Sequence, residues 1–311
     1  MLHTILLSAC FLFCFQAFTY GQCCSAGNPS SFSFTDNNSL KTKILHVSSS
    51  YKYGYSGKYY AGSEPEDVSF TAPASYSFID LKAAYGISKR LTFEASSGYF
   101  FSKEQQNPDP YPSDIGYGLG DAELNVRYRA YKSVTKHIEL TASAGIRLPV
   151  GVFDLEKDGV KLPITVQPSA GSFVYLAGFS AAKTFTENKL KLFSSIFMEF
   201  PQLINSKNFY YRYGNLYNLS ISAAFPVHKQ LNPGLQIQAE IREHATREDE
   251  QLVEASGYKV IILSPQIESD FGNNWSVLVY TDLPVFRYFN GMQLANSFKA
   301  GIRVSKRINL G

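Results

Sequence analysis

After Cys24 the chain contains no cysteine, so no disulfide framework holds it together. Cys10 and Cys14 lie in the leading apolar stretch, and Cys23 and Cys24 stand side by side, where only a strained ring could join them. Charge is also scarce. Asp, Glu, Lys and Arg make up 18% of the residues, below the roughly 25% of an ordinary soluble domain. No stretch is rich enough in Lys and Arg to form a nucleic-acid patch, and a net charge of +3 creates no strong field for a polyanion. Nucleic acid is therefore excluded as a partner. Beyond residue 21 no run approaches the ~18 uninterrupted apolar residues of a membrane-spanning helix.

The one long apolar run stands at the start. Residues 1–21, "MLHTILLSACFLFCFQAFTYG", carry no Lys, Arg, Asp or Glu. Ile5 to Phe18 have the length of a signal-peptide core and are too short to span a bilayer comfortably. The small residue Gly21 suits cleavage before Gln22, so the expectation is an exported chain that loses residues 1–21. "LSAC" at 7–10 imitates a lipoprotein cleavage box, but the apolar stretch before Cys10 is too short for one. Residues 22–40, "QCCSAGNPSSFSFTDNNSL", form a polar segment without strand signals. It is long enough to enter a barrel lumen as a plug, or to hang free. Cys23 and Cys24 are weak metal candidates: two thiolates suit a soft ion such as Cu(I), yet no His or Met stands near to complete a site. No motif calls for a cofactor.

What the chain does have is alternation. In "AELNVRYRA" (122–130), Ala122, Leu124, Val126, Tyr128 and Ala130 take every second place, and Glu123, Asn125, Arg127 and Arg129 fill the gaps. A period of two is a strand with different surroundings on its two faces. "IELTASAGIRL" (138–148), "LQIQAEIR" (235–242) and "FKAGIRV" (298–304) repeat the pattern. Twelve alternating segments can be counted, near 41–54, 74–87, 90–102, 118–131, 136–149, 173–184, 188–200, 214–226, 233–244, 257–269, 274–283 and 295–306. Those at 173–184 and 188–200 do not reveal which face is which, and Pro265 predicts a bulge or a missing ladder bond in the tenth.

The connections alternate too. Every second one is short ("SK", "SVTK", "TEN", "HKQLNP", "GNN"), and the others run to about a dozen to two dozen residues. Tight turns at one end, long loops at the other and an even strand count are the signature of an up-and-down outer-membrane barrel. The predicted fold is all-β, an antiparallel transmembrane β-barrel of about twelve strands over residues 41–311, in the outer membrane of a Gram-negative bacterium. No helical pattern separates the segments, which excludes a parallel α/β sheet. A soluble β-sandwich would explain alternation, but not membrane-length strands with loops long on one side only.

On this reading the apolar faces meet outer-membrane lipid and the polar faces meet a lumen. The inward charges are the candidate site residues. They are Asp80, Lys82 and Glu94 in the second and third segments, and Glu123, Arg127, Arg129, Glu139 and Arg147 in the fourth and fifth. Glu240 and Arg242 follow in the ninth, and Lys299 and Arg303 in the twelfth. Such residues either brace the barrel by pairing across it or set a permeation path for a small-molecule solute. Aromatic clusters at 51–60, 209–217 and 286–289 read as an interfacial girdle, or as a stacking platform at the outer mouth. Of the histidines His46, His137, His228 and His244, only His244 falls near an outer mouth, and no matched nucleophile accompanies it. An enzyme is not expected.

"GLGDAELNVRYR" (118–129), "AGIRLPVG" (144–151), "VQPSAGS" (166–172) and "YFNGMQL" (288–294) resemble signatures of the outer-membrane transporter family named for the meta-pathway of phenol degradation. The resemblance covers about residues 117–311 in the family's order, and it implies passage of small, often apolar or aromatic, compounds. The chain departs from that family in two ways. It ends "RINLG" rather than on an aromatic residue, the usual signal to the barrel-assembly machinery, and it carries the adjacent cysteines.

Overall fold

The computed structural model describes residues 39–67, 73–107, 111–187, 189–206, 209–227 and 230–311. The expected signal peptide, residues 22–38 with Cys23 and Cys24, and His228 lie outside the described residues.

Eleven strands form one closed antiparallel sheet: β1 (Ile44–Gly62), β2 (Ala74–Gly86), β3 (Leu91–Gln105), β4 (Ala122–Ser133), β5 (Ile138–Leu148), β6 (Val174–Thr184), β7 (Lys191–Pro201), β8 (Leu216–Ala224), β9 (Leu231–Arg242), β10 (Tyr258–Asp270) and β11 (Trp275–Asn309). Each pairs with the next, and β11 returns to β1 from Ile44↔Asn309 upward. Closure leaves no unpaired edge for lipid to penalise.

The last strand explains the even count. β11 has 35 residues, which at about 3.3 Å each would extend roughly 115 Å, several times a bilayer core of ~30 Å. It folds back at Gly291, whose φ of 63° lies in the left-handed region that glycine tolerates. Its first arm pairs with β10 and its second with β1. The two arms also pair with each other: the Arg307 N–H donates to the Asn274 carbonyl at 3.0 Å, and the Ser276 and Ser305 hydroxyls meet at 2.7 Å. Eleven strands, the last crossing twice, make twelve crossings. The expected long connection after the eleventh segment is therefore absent. Residues 284–295 instead prolong the hairpin, because Phe286 and Tyr288 continue to face outward while Phe289 packs inward with Tyr258 and Ala295.

The faces separate as the alternation requires. Val126 and Tyr128 of β4 are 41% and 44% exposed, whereas Arg127 and Arg129 on the opposite face are half-buried. Leu140, Leu235, Ile237, Ile302 and Val304 likewise stand exposed on the outer surface. So broad an exposed apolar belt exceeds what a soluble monomer carries and is the lipid-facing surface of a membrane barrel. β6 and β7 carry apolar residues on both faces. Tyr175, Phe179 and Ile196 point out, while Val174, Leu176 and Phe197 are buried together within. Pro265 leaves its mark where expected: the β10–β11 register runs from Leu263↔Leu283 to Gln266↔Tyr280 with no pair at Ser264 and Pro265.

Parts of the inner wall are filled by aromatic rings lying across glycines. A Cβ on Gly54 would stand 2.3 Å from the Tyr76 ring, and one on Gly98 equally close to Phe78. Tyr76, Phe78 and Phe100 form one buried inner cluster.

Candidate permeation path

The inward charges meet in ion pairs at three levels of the barrel. Near the end that carries the termini, Glu94 receives Lys82 at 3.0 Å and Arg127 at 2.8 Å. There Glu139 receives Arg129 at 3.5 Å and Lys132 at 3.1 Å. At mid-height Lys52 holds Asp80 at 2.9 Å, and Arg303 donates to the Ser50 hydroxyl at 3.0 Å. Toward the opposite end Arg147 spans Glu123 at 3.3 Å and Glu199 at 2.8 Å, and Glu199 also takes Arg242 at 3.4 Å. Glu240 accepts the Tyr258 hydroxyl, and Lys299 lines a recess between β9, β10 and β11. Lys52, Glu199 and Asp282 are inner-wall charges that the sequence reading missed. Lys52 was legible in principle, since it shares parity with Ser48, Ser50 and Gly54 against the outward Tyr51 and Tyr53.

Both mouths are narrowed by chain that turns inward. At the terminal end, Ser39 donates its N–H and its hydroxyl to Glu139 at 2.8 and 2.6 Å, and the Leu40 N–H donates to Thr92 at 3.1 Å. The Lys41 carbonyl lies so close over Gly86 that a Cβ there would come within 2.0 Å of it. The residues just before β1 thus run across the inner wall.

At the other mouth the connection between β5 and β6 folds into the barrel. Its backbone lies against Gly116 of the short strand Asp114–Leu119, where a Cβ would stand 1.8 Å from the Val166 carbonyl, and its Val152 and Pro168 side chains lie against Gly118. The outward neighbours Ile115, Tyr117 and Leu119 are exposed, so the glycines mark the inner face. Gln167 is wholly buried and ties the loop to itself. Its amide donates to the Leu155 and Leu162 carbonyls, both at 3.0 Å, and its side-chain oxygen accepts the Leu155 N–H at 3.1 Å. Lys103 of β3 donates to the Gln167 carbonyl at 2.8 Å. Asp121, in the break between the short strand and β4, accepts the Ser169 hydroxyl at 2.5 Å and the Ala170 N–H at 3.0 Å.

Above this loop, Ile204–Ser206, Phe209–Arg212 and Thr246–Arg247 form a separate small sheet. Ile204, Tyr211, Ala245 and Val253 bury a shared core there with Ile164. Residues 209–213 are therefore not a girdle: Tyr211 is buried because three loops need a core of their own. The His244 ring nitrogen faces the Val253 carbonyl at 3.4 Å within the same cap. Among the described residues no group of three or more His, Cys, Asp or Glu is placed to hold a metal ion.

A stretch of inner wall on β9, β10 and β11 sets apolar side chains beside charged ones. A small recess there is lined in part by Val260, Ile262, Pro284 and Phe289. Arg287, Lys299, Glu240 and Asp282 line it too.

No protein-family model and no curated protein matches the chain. Solved structures do. An outer-membrane channel from Pseudomonas putida F1 superposes with a TM-score of 0.72 at 12% identity, over 89% of this chain and 100% of that one. This is the fold of an outer-membrane channel. The translocator domain of the autotransporter NalP from Neisseria meningitidis follows at a TM-score of 0.50 and 9% identity, over 88% of this chain and 90% of that one. The shared architecture agrees with the closed sheet and the exposed apolar belt, and the chain has the fold of an outer-membrane β-barrel.

Proposed function

We propose that the protein is a passive channel for small, apolar or aromatic compounds. The observation that carries this reading is the recess on β9–β11, where Val260, Ile262, Pro284 and Phe289 set an apolar wall among charged side chains of the lumen. Small-molecule sites combine such walls with a few polar groups. The resemblance of residues 117–311 to transporters named for phenol degradation supports the same solute class. That the similarly folded Pseudomonas putida protein is an outer-membrane channel supports a channel here too. In this proposal residues 1–21 direct export, the barrel-assembly machinery inserts the chain, and the inward charges line the path.

A closed barrel with a binding or structural role is the second reading, favoured by the inward loop between β5 and β6 and by Ser39 at the other mouth. Single-channel conductance in planar bilayers separates the two. Discrete openings of the full-length protein support the channel. Silence both with and without residues 22–40, under conditions where the barrel is folded, supports the closed reading.

A further inference from the structure

Charge is sorted by height along the barrel. At the end with the termini, the turns between β2 and β3, β4 and β5, and β6 and β7 bring Lys89, Arg90, Lys136 and Lys189 against a single acid, Glu187. Lys183 and Lys191 flank the last of these turns, and Lys306 and Arg307 lie near the end of β11, beside β1. All of these cations except Lys306 are exposed, and none takes part in an ion pair among the described residues. At the other end the exposed charges are chiefly acidic: Glu64 and Glu66 follow β1, and the connection between β9 and β10 carries Glu248, Glu250 and Glu254 with Arg247.

Three of the cations lean on aromatic rings of the outer wall. Lys183 continues the outward series of Tyr175 and Phe179, with its Nζ 4.6 Å from the Phe185 ring centroid. Lys306 continues Ile302 and Val304, with its Nζ 4.8 Å from the ring centroid of Trp275. The Arg90 guanidinium donates to the hydroxyl of the outward Tyr128 at 3.3 Å. Such pairs suit a bilayer interface, where the ring sits at headgroup level and the long stem carries its charge to the phosphates. The depth agrees: the outward Phe173 and Lys183 are about ten positions apart, and a tilted strand crosses a bilayer in about 9–11 residues. We infer that the basic arc running from the second arm of β11 through β1 to β7 binds the headgroups of anionic phospholipids such as phosphatidylglycerol. The leaflet is the one the short turns face, which in an outer-membrane barrel is the periplasmic one. A soluble acidic partner would meet the tips of the turns, whereas Arg90, Lys183 and Lys306 lie against the wall, where lipid is the neighbour. The inference is independent of the channel reading and rests on the exposed apolar belt lying in a bilayer.

Trp275 is the only tryptophan of the chain and stands beside Lys306, so its fluorescence reads this rim directly. The test folds the full-length protein into phosphatidylcholine vesicles that contain an equal fraction of either phosphatidylglycerol or phosphatidylcholine brominated on the acyl chain. Quenching of Trp275 then reports which lipid is its neighbour. At low salt brominated phosphatidylglycerol should occupy the sites around Trp275 about fivefold more strongly than brominated phosphatidylcholine. Salt at 1 M, where the screening length falls to about 3 Å, should remove most of the difference. The double variant Lys306→Gln with Arg307→Gln should lose most of the preference at low salt. Tyr175→Trp combined with Trp275→Phe moves the probe toward the other end of the wall, where the same vesicles should show no preference. Equal quenching by the two lipids in the unaltered protein at low salt would overturn the inference and leave the arc to an acidic soluble partner, and that comparison needs no variant to fold. A preference undiminished in the double variant, or equally strong at Tyr175→Trp, would overturn it as well.

Discussion

The Ala170 N–H donates to the Asp121 carboxylate at 3.0 Å across forty-nine positions of sequence. The Ser169 hydroxyl donates to the same carboxylate. Two stretches that stand far apart in the chain, "GLGDAEL" and "VQPSAGS", are in this way one structural unit: the first breaks the barrel wall and the second folds in through the mouth to fill the break.

Asp121→Ala should release that loop. Hydrogen bonds to a buried charge contribute about 1.5–3 kcal/mol, and the barrel ladders do not depend on them. Trypsin should cut after Lys157 or Lys161 many times faster than in the parent protein, while the heat-induced mobility shift of the folded barrel stays within a few degrees. An unchanged cleavage rate would show that Gln167 and Lys103 hold the loop without Asp121.

Facing is tested on adjacent residues of β4. Val126 lies on the exposed outer face, and a charge there costs about 2–4 kcal/mol near mid-bilayer. Val126→Arg should lower the folded fraction recovered in outer membranes. Arg127→Ala should leave it unchanged, because Glu94 keeps Lys82 at 3.0 Å. Quantifying folded and unfolded bands in membrane fractions checks both, and the reverse pattern would refute the assignment.

Glu199 joins two cations, Arg147 at 2.8 Å and Arg242 at 3.4 Å. Removing one partner of a buried pair costs about 3–5 kcal/mol, and Arg147 keeps Glu123 at 3.3 Å, which places Glu199→Ala toward the lower end. Urea unfolding of the protein folded in lipid vesicles measures the loss. Glu199→Gln should be milder, since its amide oxygen still accepts one guanidinium.

The terminal mouth gives a prediction of its own. Ser39 and Leu40 hold the inner wall through Glu139 and Thr92. Removing residues 22–40 should raise small-solute conductance with little effect on unfolding, and Glu139→Ala with Thr92→Ala should reproduce part of the increase. Equal conductance in all three proteins would mean that this segment does not limit the path.

How far the sequence reveals this depends on whether the two faces of a strand differ. On β4, β5 and β9 the inner face is polar and the outer apolar, so alternation discloses both the strand and its facing. On β6 and β7 the lumen side carries Val174, Leu176 and Phe197, the two faces look alike, and Glu199 goes unnoticed among them. The strand spacing was legible, but the tip at Gly291 was not. "YFNGMQL" reads as a loop, and its strand character comes from pairing with β10 and β1. The inward fold of the β5–β6 connection depends on contacts with Asp121, Lys103 and Gly116, which no local pattern announces. The recess was missed for a related reason. Its apolar wall lies on the lumen side of β10, where the barrel pattern leads one to expect polar residues.

The seam of the barrel joins its first strand to its last, Ile44 opposite Asn309, and Ser39 stands only a few residues before that seam yet is bonded to Glu139 inside the ring. This arrangement constrains the order of biogenesis. While β1 and the second arm of β11 are still apart, the leading chain can swing against β5 from the side. Once they zip together, the same chain could reach Glu139 only by threading through a mouth. Hydrogen-bonded docking on the growing wall therefore precedes closure on the simplest assembly route, and the ring is completed around its own beginning.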